Sequence, residues 1–233
     1  MNNTTDHDYS QHTLKLFEGE LNQLHLLLLE MTKLVALQLN LTMQALDEGD
    51  MELANLVIQR NKTVNRLETQ IDAEVMIVLA RQCPVANDLR TVISTSKIAL
   101  ELEKIGAEIV EFAKLVMVLF DPKSSDPNPK LLTDIVKIGQ LVRLMLEKLA
   151  LLIETNDSKL SHQLFESDRE CEAELQEGIK RQLSLVVQDG RMIGRALDIM
   201  QIMKSLEYCG EHCRNIAEYM IYMTEGKYIR QES

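Results

Sequence analysis

Apolar residues recur along the first part of the chain at alternating steps of three and four: Leu14, Phe17, Leu21, Leu24, Leu28, Met31 and Val35. That spacing draws one stripe down a helix, because residues three and four apart share a face. No Gly or Pro interrupts between Glu20 and Glu48, and Glu48-Gly49-Asp50 then supplies a stop and a new N-cap. A second helix is predicted from about Met51 to Arg81 and, after the break at Pro84, a third to about Leu119. Helices of roughly 30 residues are about 45 Å long, and elongated antiparallel bundles are the packing such lengths favour.

Asp121-Pro-Lys-Ser-Ser-Asp-Pro-Asn-Pro129 holds three of the four prolines and excludes helix. A second set follows: Leu131 to about Ile153, about Asp157 to Val187, and about Arg191 to Glu225, broken at Glu154-Thr-Asn-Asp157 and Gln188-Asp-Gly190. The expected organisation is a flexible polar start (1–12), a first three-helix bundle (13–120), a Pro-rich linker (121–130), a second three-helix bundle (131–226) and a tail (227–233). The predicted class is all-α, two pseudo-repeated antiparallel three-helix bundles.

The halves match in sequence as well as in pattern. Leu102-Glu-Lys-Ile-Gly106 aligns with Leu206-Glu-Tyr-Cys-Gly210 at an offset of 104, and Ala113 then meets Ala217. Gly in a helix interior costs about 1 kcal/mol relative to Ala, so a repeated one predicts that a neighbouring backbone approaches closely at both places.

Composition narrows the function. Among 233 residues, 45% are hydrophobic, 4% aromatic and none is Trp, while nine Gly and four Pro are too few for the turns of an all-β fold. The net charge of −11 disfavours a polyanionic partner, and Lys180-Arg181 with Arg191 and Arg195 reads as ordinary helix surface, so no nucleic-acid binding is expected. The longest uncharged run, Leu34 to Leu46, falls short of the roughly 20 apolar residues of a membrane span. The polar N-terminus carries no apolar signal core, and Cys83, Cys171, Cys209 and Cys213 suggest no disulfide framework. The cytoplasm is the expected compartment.

Ser205-Leu-Glu-Tyr-Cys-Gly-Glu-His-Cys-Arg-Asn-Ile-Ala-Glu218 resembles the signature of the PhoU family, LERIGD followed by a stretch ending NIAE. Leu102-Glu-Lys-Ile-Gly-Ala107 is a weaker first copy, and Gln82-Cys-Pro-Val-Ala-Asn-Asp-Leu-Arg90 resembles a family segment ending DLR. The resemblance runs from about Leu14 to Gly226 and includes helix order and linker position. It implies a negative regulator of phosphate uptake and phosphate-starvation signalling, not an enzyme. Its implied partners are a membrane-bound sensor histidine kinase and the ATPase of a phosphate importer. A homodimer is expected, with membrane association only through partners.

The resemblance also implies divalent or trivalent metal ions on paired E/D-x-x-x-D/E motifs, one pair per bundle. Carboxylates four apart share a helix face, and two such helices side by side offer four hard oxygen donors. The second half keeps both motifs, Asp168-x-x-x-Glu172 and Glu207-x-x-x-Glu211, the last with Glu where the family has Asp. With Leu206 centred on its helix's apolar face, Glu207 and Glu211 project about 100° and 140° away, on the flank. The first half departs from the pattern: Asn61 and Asn65, at an offset of 107, replace Asp168 and Glu172, and Ala107 replaces Glu211. Only Glu103 keeps its carboxylate, so the first bundle is expected to bind metal weakly or not at all.

Other readings are weaker. Cys209, His212 and Cys213 suggest zinc, yet the repeat aligns the two thiols with Ile105 and Ile109, apolar core positions. A ferritin-like oxidoreductase would want Glu-x-x-His motifs, and none occurs. Asp88 and Arg90 are either a surface ion pair or a contact for a partner. A PhoU-like paralogue serving another transporter is the remaining alternative.

Overall fold

Aspartate side chains set the starts of two helices in the computed structural model, which describes residues 4–121 and 129–227, with side chains over 16–121 and 132–227. Asp50 accepts from the Leu53 N–H at 2.9 Å and opens α2 (Met51–Gln82). Asp157 accepts from Lys159 N–H and opens α5 (Ser158–Gln188). Such caps satisfy N–H groups that lack an intrahelical partner. The other helices are α1 (Thr4–Glu48), α3 (Ala86–Leu119), α4 (Pro129–Thr155) and α6 (Ile193–Glu225), and no strand occurs among the described residues.

Boundaries differ from the sequence reading at three places. Helix α1 begins at Thr4, ahead of Leu14, because no Gly or Pro stands in the polar start to stop it. Helix α4 begins at Pro129, inside the predicted linker, since a proline at the first helical position loses no hydrogen bond. A 3-10 turn, Gly190–Met192, delays α6 to Ile193, with Asp189 bonded to Arg191 N–H. Residues 122–128, the bulk of that linker, lie outside the described residues, as do the first three and the last six.

Helices α1, α2 and α3 pack on one another, and so do α4, α5 and α6. The two trios join through α3 against α6 and α1 against α4. Helix α3 runs antiparallel to α6. Arg195 Nη1 donates to Leu119 O at 2.6 Å, Cys209 lies against Ile105 O, and Lys97 stacks over the Tyr219 ring. Helices α3 and α6 are therefore central, covered from several sides, whereas α2 and α5 each bury one stripe.

The repeat extends through those buried faces. Val92, Ile98, Leu102, Ile105, Ile109, Phe112, Ala113 and Val116 of α3 are matched at the 104 offset by Ala196, Ile202, Leu206, Cys209, Cys213, Ile216, Ala217 and Met220 of α6, all buried. On the outer helices, Ala54, Val57, Val64, Ile71 and Val75 are matched at the 107 offset by Ser161, Leu164, Cys171, Gly178 and Gln182. Fully burying a Leu, Ile or Phe contributes about 1.5–3 kcal/mol, so the same positions hold each trio together.

By length and composition alone, α1 is long and apolar enough to cross a membrane, which the shorter uncharged run did not suggest. In the fold its stripe Leu24, Leu28, Met31, Val35, Leu39 and Leu46 is buried in the core.

Candidate functional site

Helices α5 and α6 pass so close that a Cβ on Gly210 would lie 3.6 Å from Asp168 Oδ1, with Cys171 Sγ and Met145 Sδ at 3.5 Å. In the first half, a Cβ on Gly106 would lie 2.7 Å from Asn61 Oδ1 and 3.2 Å from Val64 Cγ1. Both glycines thus make room for side chains of the neighbouring helix. The close backbone approach expected from the sequence is a close side-chain approach. Each meets the first position of the i,i+4 pair on its half's outer helix, so Asn61 occupies the place of Asp168.

Asp168 projects from α5 towards α6 and is largely buried, at 14% side-chain exposure. Glu207 is equally sheltered, while Glu172 is exposed and Glu211 is 41% exposed. The four form one electrostatic neighbourhood. Burial pushes the Asp168 carboxyl above its ordinary value, the Arg214 guanidinium pulls it back, and the charges of Glu207, Glu211 and Glu172 raise it further.

Two cations stand among these carboxylates. Arg214 Nη1 donates to Asp168 Oδ2 at 3.2 Å, Nη2 lies 3.6 Å from Glu211 Oε1, and Nε lies 3.9 Å from Glu218 Oε1. Lys204 Nζ pairs with Glu207 Oε2 at 2.6 Å and stacks over the Tyr208 ring. Burial opposes the Lys204 charge, but the bond to Glu207 and the charges of Glu207, Tyr208 and Glu211 together outweigh it and raise its pKa.

The donors are of the right kind for a hard cation, but their arrangement is not a ligand set. Metal ligands need oxygens converging at about 2.0–2.6 Å from one point. Among the described residues no group of three or more His, Cys, Asp or Glu is so disposed. A guanidinium also holds Oδ2 of Asp168. Sequence reasoning missed Arg214 and Lys204, although each stands three residues from a motif glutamate, a spacing at which opposite charges meet on a helix.

In the first bundle, Asn61 Nδ2 donates to Asn65 Oδ1 at 3.3 Å, and Asn61 Oδ1 accepts from Gln38 Nε2 at 3.5 Å. Glu103 is half-buried beside Glu68, whose carboxyl is raised by burial, then by Asp72 and Glu103. Ala107 is exposed.

The remaining polar candidates fall elsewhere. Cys171, Cys209 and Cys213 are buried free thiols, and burial pushes all three above their ordinary range, Cys171 to about 12. His212 points away from them, with Nδ1 2.8 Å from Glu101 Oε2 on α3. Glu101 also accepts from Asn215 Nδ2 at 3.0 Å and pairs with Lys104 Nζ at 2.9 Å. At the α2–α3 turn, Asp88 is exposed, while Arg90 bonds Asn87 and lies against Gly226, the αL cap of α6.

The family model described as PhoU domain matches residues 28–116 and 135–220. Phosphate-specific transport system accessory protein PhoU homologs of Pseudomonas putida and Pseudomonas aeruginosa are each 32% identical over 221 residues, covering 95% of this chain and 85% and 90% of theirs. The Escherichia coli K12 accessory protein PhoU is 29% identical over 222 residues, covering 95% of this chain and 90% of its own. The crystal structure of PhoU from Pseudomonas aeruginosa superposes with a TM-score of 0.85 at 32% identity, over 91% of this chain and 100% of that one. The fold of the Streptococcus pneumoniae phosphate transport system regulatory protein PhoU agrees at a TM-score of 0.82 over 91% of this chain. The chain, matched in both bundles and across nearly its whole length, belongs to the PhoU family.

Proposed function

We propose that this protein is a regulatory accessory protein of a phosphate transport system and that it acts by binding partners rather than by catalysis. The observation that carries this reading is near full-length similarity, in sequence and in both bundles, to proteins named as accessory to phosphate-specific transport.

The proposed partners are a sensor histidine kinase and the ATPase of the importer, met on the cytoplasmic side, with the chain working as a homodimer. The α2–α3 turn suits such a contact. Val85 and Leu89 stand exposed beside the exposed carboxylate of Asp88, and Ile93 continues that apolar strip one turn further. Arg90, bonded to Asn87, packs against Gly226 at the end of α6. Apolar residues rimmed by charge are a common form of protein-binding patch.

Pull-down from membranes with the tagged, full-length chain tests the reading. Recovery of the kinase or the importer ATPase by wild type, and its loss with D88K or L89E, supports it. Failure to recover either from phosphate-replete cells contradicts it.

A further inference from the structure

Four carboxylates gathered around one α5–α6 crossing repel one another, and something must hold them. Their own helices supply it. Arg214 reaches Asp168, Glu211 and Glu218 together, and Lys204 covers Glu207. We propose that Arg214 is the resident cation of the second bundle's acidic site, so that a metal ion binds there only in its place.

Three observations point to this assignment. The first is position. The guanidinium is part-buried, at 32% exposure, and its Nη1 bonds Asp168 Oδ2 at 3.2 Å, on a carboxylate that shares with Glu207 the lowest exposure of the set, 14%. A metal bound at that oxygen would have to stand where that nitrogen does.

The second is chemical suitability. Arg keeps its charge at every physiological pH and presents a planar fork of donors, so it can serve carboxylates from two helices at once. Lys204 could not replace it, being committed to Glu207 at 2.6 Å.

The third lies in the repeat. At the 104 offset the place of Arg214 is taken by Val110. The first half, which has Asn61, Asn65 and Ala107 in place of three carboxylates, has also lost the guanidinium. Three of the four anions and the cation are present together in one half and absent together from the other. That is the pattern of groups that neutralise each other.

This inference concerns the site alone and stands or falls apart from the phosphate-transport reading. It is tested on purified full-length protein stripped with EDTA and titrated with Mn2+ at neutral pH, following free Mn2+ by electron paramagnetic resonance. Wild type and R214K, which keeps the charge, are expected to bind weakly and alike. R214Q is expected to bind at least about tenfold more tightly, with the gain lost in R214Q/E207Q. An R214Q chain that folds only when Mn2+ is added supports the proposal equally. Equal affinities in wild type and R214Q overturn it, as does R214Q that takes up no Mn2+, folded or not.

Discussion

Glu101 Oε2 and His212 Nδ1 meet at 2.8 Å across the boundary between α3 and α6, 111 positions apart in the chain. The contact ties one bundle to the other through polar atoms, as Arg195 does at Leu119 O nearer the other end of the α3–α6 seam. A carboxylate at 6% exposure persists there because three donors surround it, His212, Asn215 and Lys104.

That pairing makes the joint between bundles sensitive to acid. Burial raises the Glu101 carboxyl, but the bonds from His212, Lys104 and Asn215 outweigh it and hold the pKa at about 2, below the ordinary 4.5. The stabilisation is therefore complete above pH 4.5 and is lost as pH falls towards 2. Full loss corresponds to roughly 3 kcal/mol. Urea unfolding at pH 5 and pH 3 should show a larger drop for wild type than for Glu101→Gln. Equal drops would remove Glu101 as the cause.

The two mid-helix glycines should answer differently to alanine. At Gly210 a methyl meets Cys171, Met145 and Asp168 at ordinary contact distance, so Gly210→Ala is expected to be neutral or to stabilise by up to about 1 kcal/mol. At Gly106 it would press on Asn61 Oδ1 at 2.7 Å and disturb the amide chain to Gln38 and Asn65. Thermal melts of the two variants should place Gly106→Ala below Gly210→Ala. The opposite order would show that Asn61 yields freely.

Much of the fold was legible in the chain. Helix order, the Asp50 cap and the register of the repeat follow from local chemistry and from apolar spacing, which neighbours in sequence carry. What was not legible depends on pairs far apart. Nothing in the spacing of Glu101 says that it faces His212, and the approach at the glycines is made by side chains that only packing brings near. Arg214 lies between these cases. Its i+3 relation to Glu211 is a local signal, but its bond to Asp168 comes from the α5–α6 crossing.

Thiol chemistry should separate one cysteine from three. Cys83 is exposed, in the αL cap of α2, while Cys171, Cys209 and Cys213 are buried with raised pKa values. Thiolate is the reactive form. A disulfide reagent at pH 8 should titrate a single fast thiol in native protein, abolished by Cys83→Ser, and four after denaturation. A second fast thiol would contradict the burial of Cys171, Cys209 and Cys213.

The α1–α2 turn should be intolerant of a side chain. Gly49 has φ of 66° and would place a Cβ 2.9 Å from Phe120 Cδ1. The left-handed conformation alone costs a non-glycine residue about 1–2 kcal/mol. Gly49→Ala is expected to lose at least that much in urea unfolding. An unchanged midpoint would mean that the turn and Phe120 rearrange without cost.

The central claim, proposed above, is that this protein is a regulatory accessory protein of a phosphate transport system. A phosphate-starvation reporter, read in phosphate-rich medium with the gene deleted and then restored, tests it most directly. The account predicts a reporter that stays on after deletion and is switched off again by the restored wild-type chain. A reporter that responds to phosphate equally with and without the gene would contradict it.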